Sequence, residues 1–419
     1  MIRAAVIGLG GRGRMLANLL RRQDDVVITT IADRDPILCD RIGSDFGIAE
    51  TARFADGEQL ISRAEVDLVV VATPDHAHLG PTLAALGRGR HVLLEKPMAP
   101  DLEACRAIVR AQHGSGAFVA VCHGLRHQAG FERVRALVRE GRIGPLISIA
   151  LTERVPFWHF AHSYVRGHAA DESRSGPMIL TKSCHDLDWL CHLVGAPAER
   201  LWSSGGRSWF HADRAPAGAP ARCTDGCPHE ATCPYSALRC YVDTARRSGW
   251  PAAMCSPTDH SREAHLAAMR NGPYGRCVWR CTNDVVDHQV VGLTFPGGIS
   301  ATFTVTGLSA GGGRLLRMHG GRGEIVYDQG LNRITCTVFA RDETTTETID
   351  LDEGHGQGGD AGVVASLLDA IRHGDGGGIA ASAEAALRSH AMAFAAEHSR
   401  RSGQAVDLAA WTALDGVIP

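Results

Sequence analysis

Three glycines near the start of the chain have the spacing of a loop that binds a dinucleotide. Gly8, Gly10 and Gly13 form a G-x-G-x-x-G pattern directly after an apolar segment and at the start of an amphipathic one. In such a loop the first glycine allows a tight turn, the second lets the backbone approach a pyrophosphate, and the third allows close packing of helix on strand. The amides of the helix N-terminus then face the negative charge. The pattern therefore predicts a dinucleotide site.

An acidic residue follows the glycine loop at the expected distance. Asp33 ends the second apolar segment, about 20 residues after the last glycine, where a carboxylate can accept hydrogen bonds from the adenosine ribose diol. Arg34 comes next and could pair with a 2′-phosphate instead. The sequence therefore predicts NAD as the cofactor, preferred over NADP.

Short motifs further along the chain resemble the Gfo/Idh/MocA family of oxidoreductases, and the resemblance covers nearly the whole chain. They are Ala72 to His78 (ATPDHAH), Glu95-Lys96-Pro97, a segment at Arg126, Glu140 to Gly144 (EGRIG), His185 to Asp188 (HDLD) and Gly358 to Asp360 (GGD). The resemblance implies a Rossmann domain followed by an α/β domain with a mainly antiparallel sheet. It also implies a substrate site between the domains and dimers or tetramers built through the open sheet face.

Lys96 and His185 are the candidate catalytic residues. Lys96 ends a predicted parallel strand, where doubly wound sheets bind ligands, although a surface ion pair would also explain a lysine beside Glu95. The resemblance implies that Lys96 orients the substrate hydroxyl and that His185 is the general acid/base, a role that suits imidazole. The family commonly has an aspartate four residues before this histidine, whereas this chain has Thr181. The proton relay must therefore differ, and the neighbouring Lys182 is the candidate to compensate.

The candidate binding residues come from the glycine loop, the strand ends and an aromatic run at residues 157–167. The candidate cofactor contacts are Gly8, Gly10, Gly11, Arg12, Gly13, Asp33, Arg34, Thr73, Pro74, His78, Glu95 and Lys96. The candidate substrate contacts are Lys96, Arg126, His159, His162, Arg166, Thr181, Lys182 and His185. The aromatic run suits a sugar pocket, but a surface loop with some buried aromatics explains it almost equally well. We also consider that Arg126, His162, Arg166 and Lys182 converge on an anionic group of the substrate.

These features predict an NAD-dependent oxidoreductase that transfers a hydride to or from a ring hydroxyl of a sugar or sugar derivative, which could be anionic. The alternative is a redox-neutral NAD-dependent glycosidase, for example one that acts on sulfoquinovosides. Such an enzyme oxidises C3, eliminates the aglycone, adds water and returns the hydride. A third hypothesis, a sugar sensor without turnover, is disfavoured because both Lys96 and His185 are present.

A cysteine-rich insert interrupts the second half of the chain at about residues 203–282. It contains Cys223-x3-Cys227-x5-Cys233 and Cys240, with few apolar residues to pack around them. A long irregular loop usually has a function or is held by a cross-link, and four such ligands could hold a structural zinc. His229 is a further candidate ligand. An iron–sulphur cluster and reduced, buried thiols are the alternatives.

The elements that must position these residues fall into two groups. Residues 1–125 alternate short apolar strands with amphipathic segments, which predicts a doubly wound parallel sheet, an NAD-binding Rossmann domain. Residues 126–419 contain strands joined by turns such as PGG, which predicts an α+β domain with a large antiparallel sheet for substrate binding and oligomerisation.

Composition sets outer limits on the function. With 419 residues the chain fits two domains, and its 44% hydrophobic and 21% charged residues are typical of globular proteins. A net charge of −3 provides no field for nucleic acid or an anionic membrane, so the expected partner is a small molecule, and the resemblance implies that it is a carbohydrate. No apolar run approaches the roughly 18 residues of a membrane span, and no leader is evident, so we expect a cytoplasmic protein with its 13 cysteines mostly reduced. The resemblance implies that it is a homodimer or homotetramer.

Overall fold

The computed structural model describes residues 1–245, 247–350 and 358–413. Its first sheet has six parallel strands in the order β3-β2-β1-β4-β5-β6. The strands are β1 Ile2–Ile7, β2 Val26–Ala32, β3 Arg53–Phe54, β4 Leu68–Val71, β5 His91–Leu94 and β6 Val119–Val121. All four residues of β4 are buried, so both faces of the sheet must be covered by helices. The predicted Rossmann arrangement is confirmed.

Helices connect these strands and leave a crevice at one edge of the sheet. They are α1 Gly11–Leu20, α2 Pro36–Phe46, α3 Gly57–Arg63, α4 Leu79–Leu86 and α5 Leu102–Ser115. The strand order reverses between β1 and β4, which places a ligand-binding crevice beyond the carboxyl ends of these two strands. The glycine loop follows β1, and the Ala72-Thr73-Pro74 segment follows β4. Both predicted cofactor motifs therefore meet at this switch point.

The second sheet has nine strands in the order β14-β13-β12-β11-β7-β10-β9-β8-β15. The strands are β7 Leu146–Pro156, β8 Arg200–Gly206, β9 His288–Thr294, β10 Ser300–Ser309, β11 Gly313–Gly320, β12 Gly323–Asp328, β13 Arg333–Val338, β14 Glu343–Thr348 and β15 Val406–Asp407. Among the described strands of this second sheet, only β7 and β10 form a parallel pair. The expected large, mainly antiparallel sheet is confirmed.

The remaining helices pack on the second sheet and return to the first. They are α6 Ala129–Arg139, α7 Phe157–Phe160, α8 Glu172–Ser175, α9 Met178–Thr181, α10 Cys184–Val194, α11 Arg262–Asn271, α12 Gly359–His373, α13 Ala383–Ser402 and α14 Leu408–Ala413. Leu367 of α12 shares a core with Val70 of β4, and Leu387 of α13 shares another with Leu94 of β5. The end of the chain thus helps to cover the first sheet.

The insert differs from its sequence prediction in two places. Strand β8 extends to Gly206, and helix α11 forms within a region expected to be irregular. The Ser261 side chain accepts a hydrogen bond from the Ala264 amide, so this short helix has a regular N-cap. Along the described parts of the chain, the helices are all too short or too polar to cross a membrane.

Candidate active site

A cleft of about 1360 Å³ lies at the carboxyl ends of the first sheet and continues to the second domain. Most of the predicted site residues line it together. They are Gly8, Gly10, Gly11, Arg12, Asp33, Arg34, Thr73, Pro74, His78, Glu95, Lys96, His159, Thr181, Lys182 and His185. Gly13, Arg126, His162 and Arg166 are absent from this lining. The sequence motifs therefore converge, with four exceptions.

The glycine loop has the close packing that its sequence predicts. Gly8 has a φ of +90°, and a Cβ atom there would lie 2.4 Å from the Ala72 carbonyl oxygen. A Cβ atom on Gly13 would lie 1.8 Å from the Gly8 carbonyl oxygen. Any side chain at either position would therefore push the loop away from β4. Gly13 supports the loop from behind rather than facing the cleft.

The Asp33 carboxylate is held by two backbone amides at the end of β2. The Leu9 amide donates to Oδ2 at 2.7 Å, and the Asp35 amide donates to Oδ1 at 2.9 Å. These bonds fix the carboxylate beside the glycine loop and at the wall of the cleft. The position suits an acceptor for a ribose diol. The exposed Arg34 lines the same wall.

Arg12 connects the glycine loop with the C-terminal part of the chain. Its guanidinium lies 2.6 Å from Glu95 and makes two hydrogen bonds of 2.9 and 3.0 Å to Asp360. Burial alone would lower the pKa of Arg12, but the two carboxylates raise it above its usual value. Arg12 thus pairs with both acids at the mouth of the crevice, and the GGD motif contributes to the site through Asp360.

Lys96 and His185 approach the cleft from the two domains. The Lys96 ammonium donates to the Thr181 carbonyl oxygen at 2.7 Å, which joins the end of β5 to α9. Burial lowers the pKa of His185 well below its ordinary value of 6.5, and the charge of Lys96 lowers it further. His185 is therefore neutral at pH 7, as a general base must be. Among the described residues, its Nδ1 atom has no hydrogen-bond partner.

His78 joins the two strand-end motifs beneath the cleft. One ring nitrogen lies 2.8 Å from the Pro97 carbonyl oxygen and the other lies 2.9 Å from the Thr73 carbonyl oxygen. The side chain is fully buried. The contacts show that His78 holds the loop after β4 against the loop after β5, and thereby supports the position of Lys96.

A chain of charges runs behind the catalytic pair. Lys182 lies 3.0 Å from Glu153, Glu153 lies 2.9 Å from Arg314, and Arg314 lies 2.7 Å from Asp186. Burial alone would raise the pKa of Glu153, but Arg314 and Lys182 lower it overall. Lys182, the predicted substitute for the aspartate that is missing at Thr181, is thus already paired with Glu153.

Comparison with known proteins agrees with this geometry. Residues 2–123 match the model of the Gfo/Idh/MocA family, described as an oxidoreductase family with an NAD-binding Rossmann fold. The first domain of this chain is therefore similar to the NAD-binding domain of that family. The chain is 30% identical over 206 residues to the 2,7-anhydro-N-acetylneuraminate hydratase of Escherichia coli, a match that covers 49% of this chain and 53% of the hydratase. It is 34% identical over 146 residues to the 1,5-anhydro-D-fructose reductase of Ensifer adhaerens, which covers 34% and 43% of the two chains.

The match to solved structures extends over both domains. An oxidoreductase from Agrobacterium radiobacter, solved in complex with NAD+, L-tartaric acid and magnesium, superposes with a TM-score of 0.72 at 18% identity and covers 98% of this chain and 99% of that one. The chain spans about half the length of the curated relatives that it matches by sequence. The structural similarity over the whole chain therefore shows the fold, whereas the sequence similarity over part of the chain indicates the family.

Three of the predicted substrate contacts are engaged elsewhere. Arg126 makes two hydrogen bonds, of 2.6 and 2.7 Å, to the buried Asp188. Arg166 donates to the carbonyl oxygens of Arg276 and Tyr235, both at 2.7 Å. The prediction that they converge with Lys182 on an anionic group is therefore wrong, because their charges are satisfied inside the protein.

His162 is the third of these residues, and it packs behind the cleft wall. Its ring stacks on Tyr274 with the ring centroids 4.6 Å apart, and its Nδ1 atom lies 3.1 Å from the Tyr241 hydroxyl. Burial lowers the pKa of His162 to about 3. The side chain is a neutral packing element that holds Tyr274 in place, so the predicted contact with substrate is a structural contact instead.

The insert supplies part of the cleft wall, which sequence reasoning missed. Trp250, Met254 and Tyr274 line the cleft, and the Trp250 ring lies edge-on to His159 with their centroids 4.7 Å apart. No motif marks these residues, because only the folding of the insert brings them to the site. Tyr164 and His168 also line the cleft, and the aromatic run on which they lie could have identified them.

Three of the four predicted metal ligands lie together. Cys223, Cys227 and Cys233 line one small cavity in the insert, and Cys277 joins them there. Cys240 is absent from this lining and packs against an apolar cluster that includes Cys223, Tyr241 and Met269. In the cavity, Cys277 takes the place predicted for Cys240, because chain folding brings this more distant residue there. His229 also lines this cavity.

Proposed function

We propose that this chain is an NAD-dependent oxidoreductase that transfers a hydride to or from a ring hydroxyl of a sugar or sugar derivative. The observation that supports the proposal most directly is that Lys96 and His185 line the same cleft as the glycine loop and Asp33. A bound nicotinamide cofactor supplies the acceptor or donor of the hydride. The side chains of the protein then have to hold the hydroxyl group and move its proton.

Lys96 would orient the reacting oxygen. An ammonium group has three donors, and one of them is used by the Thr181 carbonyl oxygen. The other two are available for a substrate hydroxyl, and their charge stabilises the negative charge that develops on the oxygen as the carbonyl forms or is consumed. Because the Thr181 contact fixes the side chain across the domain boundary, the ammonium is positioned before substrate binds.

His185 would accept the hydroxyl proton. It is neutral because burial and the charge of Lys96 disfavour the imidazolium. No carboxylate stabilises that imidazolium from the position four residues earlier, since Thr181 cannot bear charge. His185 would therefore hold a proton only briefly and pass it on to water or back to substrate.

The walls of the cleft favour a neutral ring over a charged ligand. Trp250 and Tyr274 offer aromatic faces that suit the C–H faces of a sugar, and Met254 adds an adaptable apolar contact. Lys182 is paired with Glu153, and Arg314 with Asp186. Since these cations are already paired, our proposal does not include an anionic group on the substrate.

A redox-neutral reaction is the second candidate. It is favoured by Thr181, because a base without a carboxylate partner suits a proton that is returned within the same cycle. The similarity to the hydratase from Escherichia coli agrees with such a cycle. In this reaction oxidation at C3 acidifies the neighbouring C–H, and the aglycone is then eliminated. Water adds, and the hydride returns to C3.

One experiment separates the two candidates. The protein would be incubated with NAD and a panel of free sugars, anhydro sugars and aryl glycosides, while NADH and released phenol are followed together. NADH that accumulates with a free sugar supports the net dehydrogenase, and phenol without NADH supports the redox-neutral reaction. If no member of the panel gives NADH or phenol, the proposal is contradicted. The Lys96→Met variant provides the blank.

We further propose that the chain forms a homodimer or homotetramer through the open face of the nine-stranded sheet. Large apolar side chains from several of its strands are exposed, namely Ile147, Trp202, Val290, Leu308 and Leu315. Val290 and Leu315 lie in one row across the sheet, which runs from β9 through β10 and β7 to β11. An apolar surface of this kind commonly marks a protein interface. Light scattering should give an oligomer for the native chain and a monomer for Trp202→Glu combined with Leu315→Glu.

A further inference from the structure

Four cysteines surround one small cavity in the insert, apart from the active-site cleft. Cys223, Cys227, Cys233 and Cys277 line a space of about 20 Å³. They come from two segments that the fold brings together, since Cys277 donates its backbone amide to the Ala221 carbonyl oxygen at 2.9 Å and Cys223 donates to that of Gly275 at 2.9 Å. A ladder of backbone hydrogen bonds therefore fixes the two segments that carry the cysteines.

Hydrogen-bond donors and one cation lie around the cavity. The Ala237 amide donates to the Cys223 Sγ atom at 3.5 Å, and the Arg166 guanidinium donates to the same atom at 3.8 Å. Burial raises the pKa of the Cys233 and Cys277 thiols, and backbone hydrogen bonds and the charge of Arg166 offset part of this shift. Arg166 is only 5% exposed, so its charge acts in a poorly solvated environment. Donors and a cation of this kind stabilise the thiolates of a metal centre.

The spacing of the sulphur atoms distinguishes between two kinds of centre. A tetrahedral zinc with Zn–S bonds of about 2.3 Å holds its sulphurs about 3.8 Å apart. Among the described residues, no three of these cysteine sulphurs, with or without a His229 nitrogen, lie within 4.8 Å of one another. In a four-iron cluster each cysteine binds a different iron around an inorganic core, which holds the sulphurs further apart than a single zinc does.

We propose that Cys223, Cys227, Cys233 and Cys277 bind an iron–sulphur cluster. The cluster is a structural centre that supports the cleft wall. Arg166 at the cavity and His162 behind the wall belong to one π-helical turn, Ala161–Arg166. His162 stacks on Tyr274, so a displacement of this turn at the cluster would move a cleft-lining side chain. The proposal does not depend on the proposed function, because it concerns the composition of the purified protein.

The first test is the metal content of the full chain purified without oxygen. We expect about four irons per chain with an equal amount of acid-labile sulphide. Visible charge-transfer absorbance should bleach on reduction with dithionite. About one zinc per chain without sulphide would overturn the proposal, and so would a protein with neither iron nor zinc after reconstitution with iron and sulphide.

Matched substitutions test the ligand set. Cys277→Ser should lose most of the iron, whereas Cys240→Ser should retain it, because Cys240 packs outside the cavity lining. Equal loss of iron in both variants would overturn the assignment. NAD binding by each variant shows whether the first domain is folded, and the iron content of the native chain decides the question even if Cys277→Ser is unstable. Where activity is measurable, loss of the cluster should raise KM more than it lowers kcat.

Discussion

Replacing Asp33 with asparagine should narrow the preference for NAD over NADP. In the structure the carboxylate accepts hydrogen bonds from the Leu9 and Asp35 amides, so its charge is fixed at the cleft wall. The 2′-phosphate of NADP would be repelled by this negative charge. Asparagine keeps the shape and removes the charge, but its NH2 group would face one of the two amide donors. The ratio of the two cofactor affinities, rather than either affinity alone, therefore reports the electrostatic contribution.

The size of the effect follows from the position of the carboxylate. Two unit charges about 4 Å apart repel by about 1 kcal/mol in water and about 4 kcal/mol at the effective dielectric constant near a protein surface. Asp33 is half-buried, so an intermediate value applies. Since about 1.4 kcal/mol corresponds to a factor of ten, the ratio of the two dissociation constants should fall by about 10- to 100-fold.

Calorimetric titration of both cofactors measures this ratio. Asp35→Asn is the matched control, because Asp35 caps α2 through the Ile37 and Leu38 amides and is exposed outside the cleft lining. Asp35→Asn should leave the ratio unchanged. Equal affinity of the native protein for NAD and NADP would refute the reasoning, as would an equal change in both variants.

Three further changes test the site and its support. Lys96→Met should lower kcat by about 100- to 1000-fold while the dissociation constant of NAD changes little, since the ammonium acts on the substrate oxygen; an unchanged kcat would remove Lys96 from the mechanism. Because the pKa of His185 is lowered, the rate should stay constant as the pH falls through 6.5 and decline only at lower pH. A rate that declines near pH 6.5, with the same profile in His185→Ala, would show that another group is the base. Asp188→Asn should lower the free energy of unfolding by about 3 to 5 kcal/mol, because the buried Arg126 loses its partner. In denaturant titration the exposed pair at Arg3 provides the control, where Asp67→Asn should cost less than about 1 kcal/mol.

Local sequence determines most of the first domain and of the cofactor site. Strands that are buried on both faces need continuous runs of apolar residues. The tight loop has no room for a side chain at Gly8 or Gly13, so both positions require glycine. Such constraints act within about 30 residues, so they are visible as a pattern. The position of Lys96 is of the same kind, because the end of a parallel strand always lies at the same edge of the sheet.

Tertiary structure alone decides which polar groups are free to act. Arg126 and Arg166 carry the same positive charge as Lys96, but their partners lie far away along the chain, namely Asp188 and the carbonyl oxygens of Arg276 and Tyr235. A buried charge must find a partner, and the sequence does not state which partner that will be. The same limit explains the insert, where Cys277 rather than Cys240 completes the cysteine cavity. Long-range backbone hydrogen bonds bring Cys277 into place, and the spacing of cysteines along the chain does not predict them.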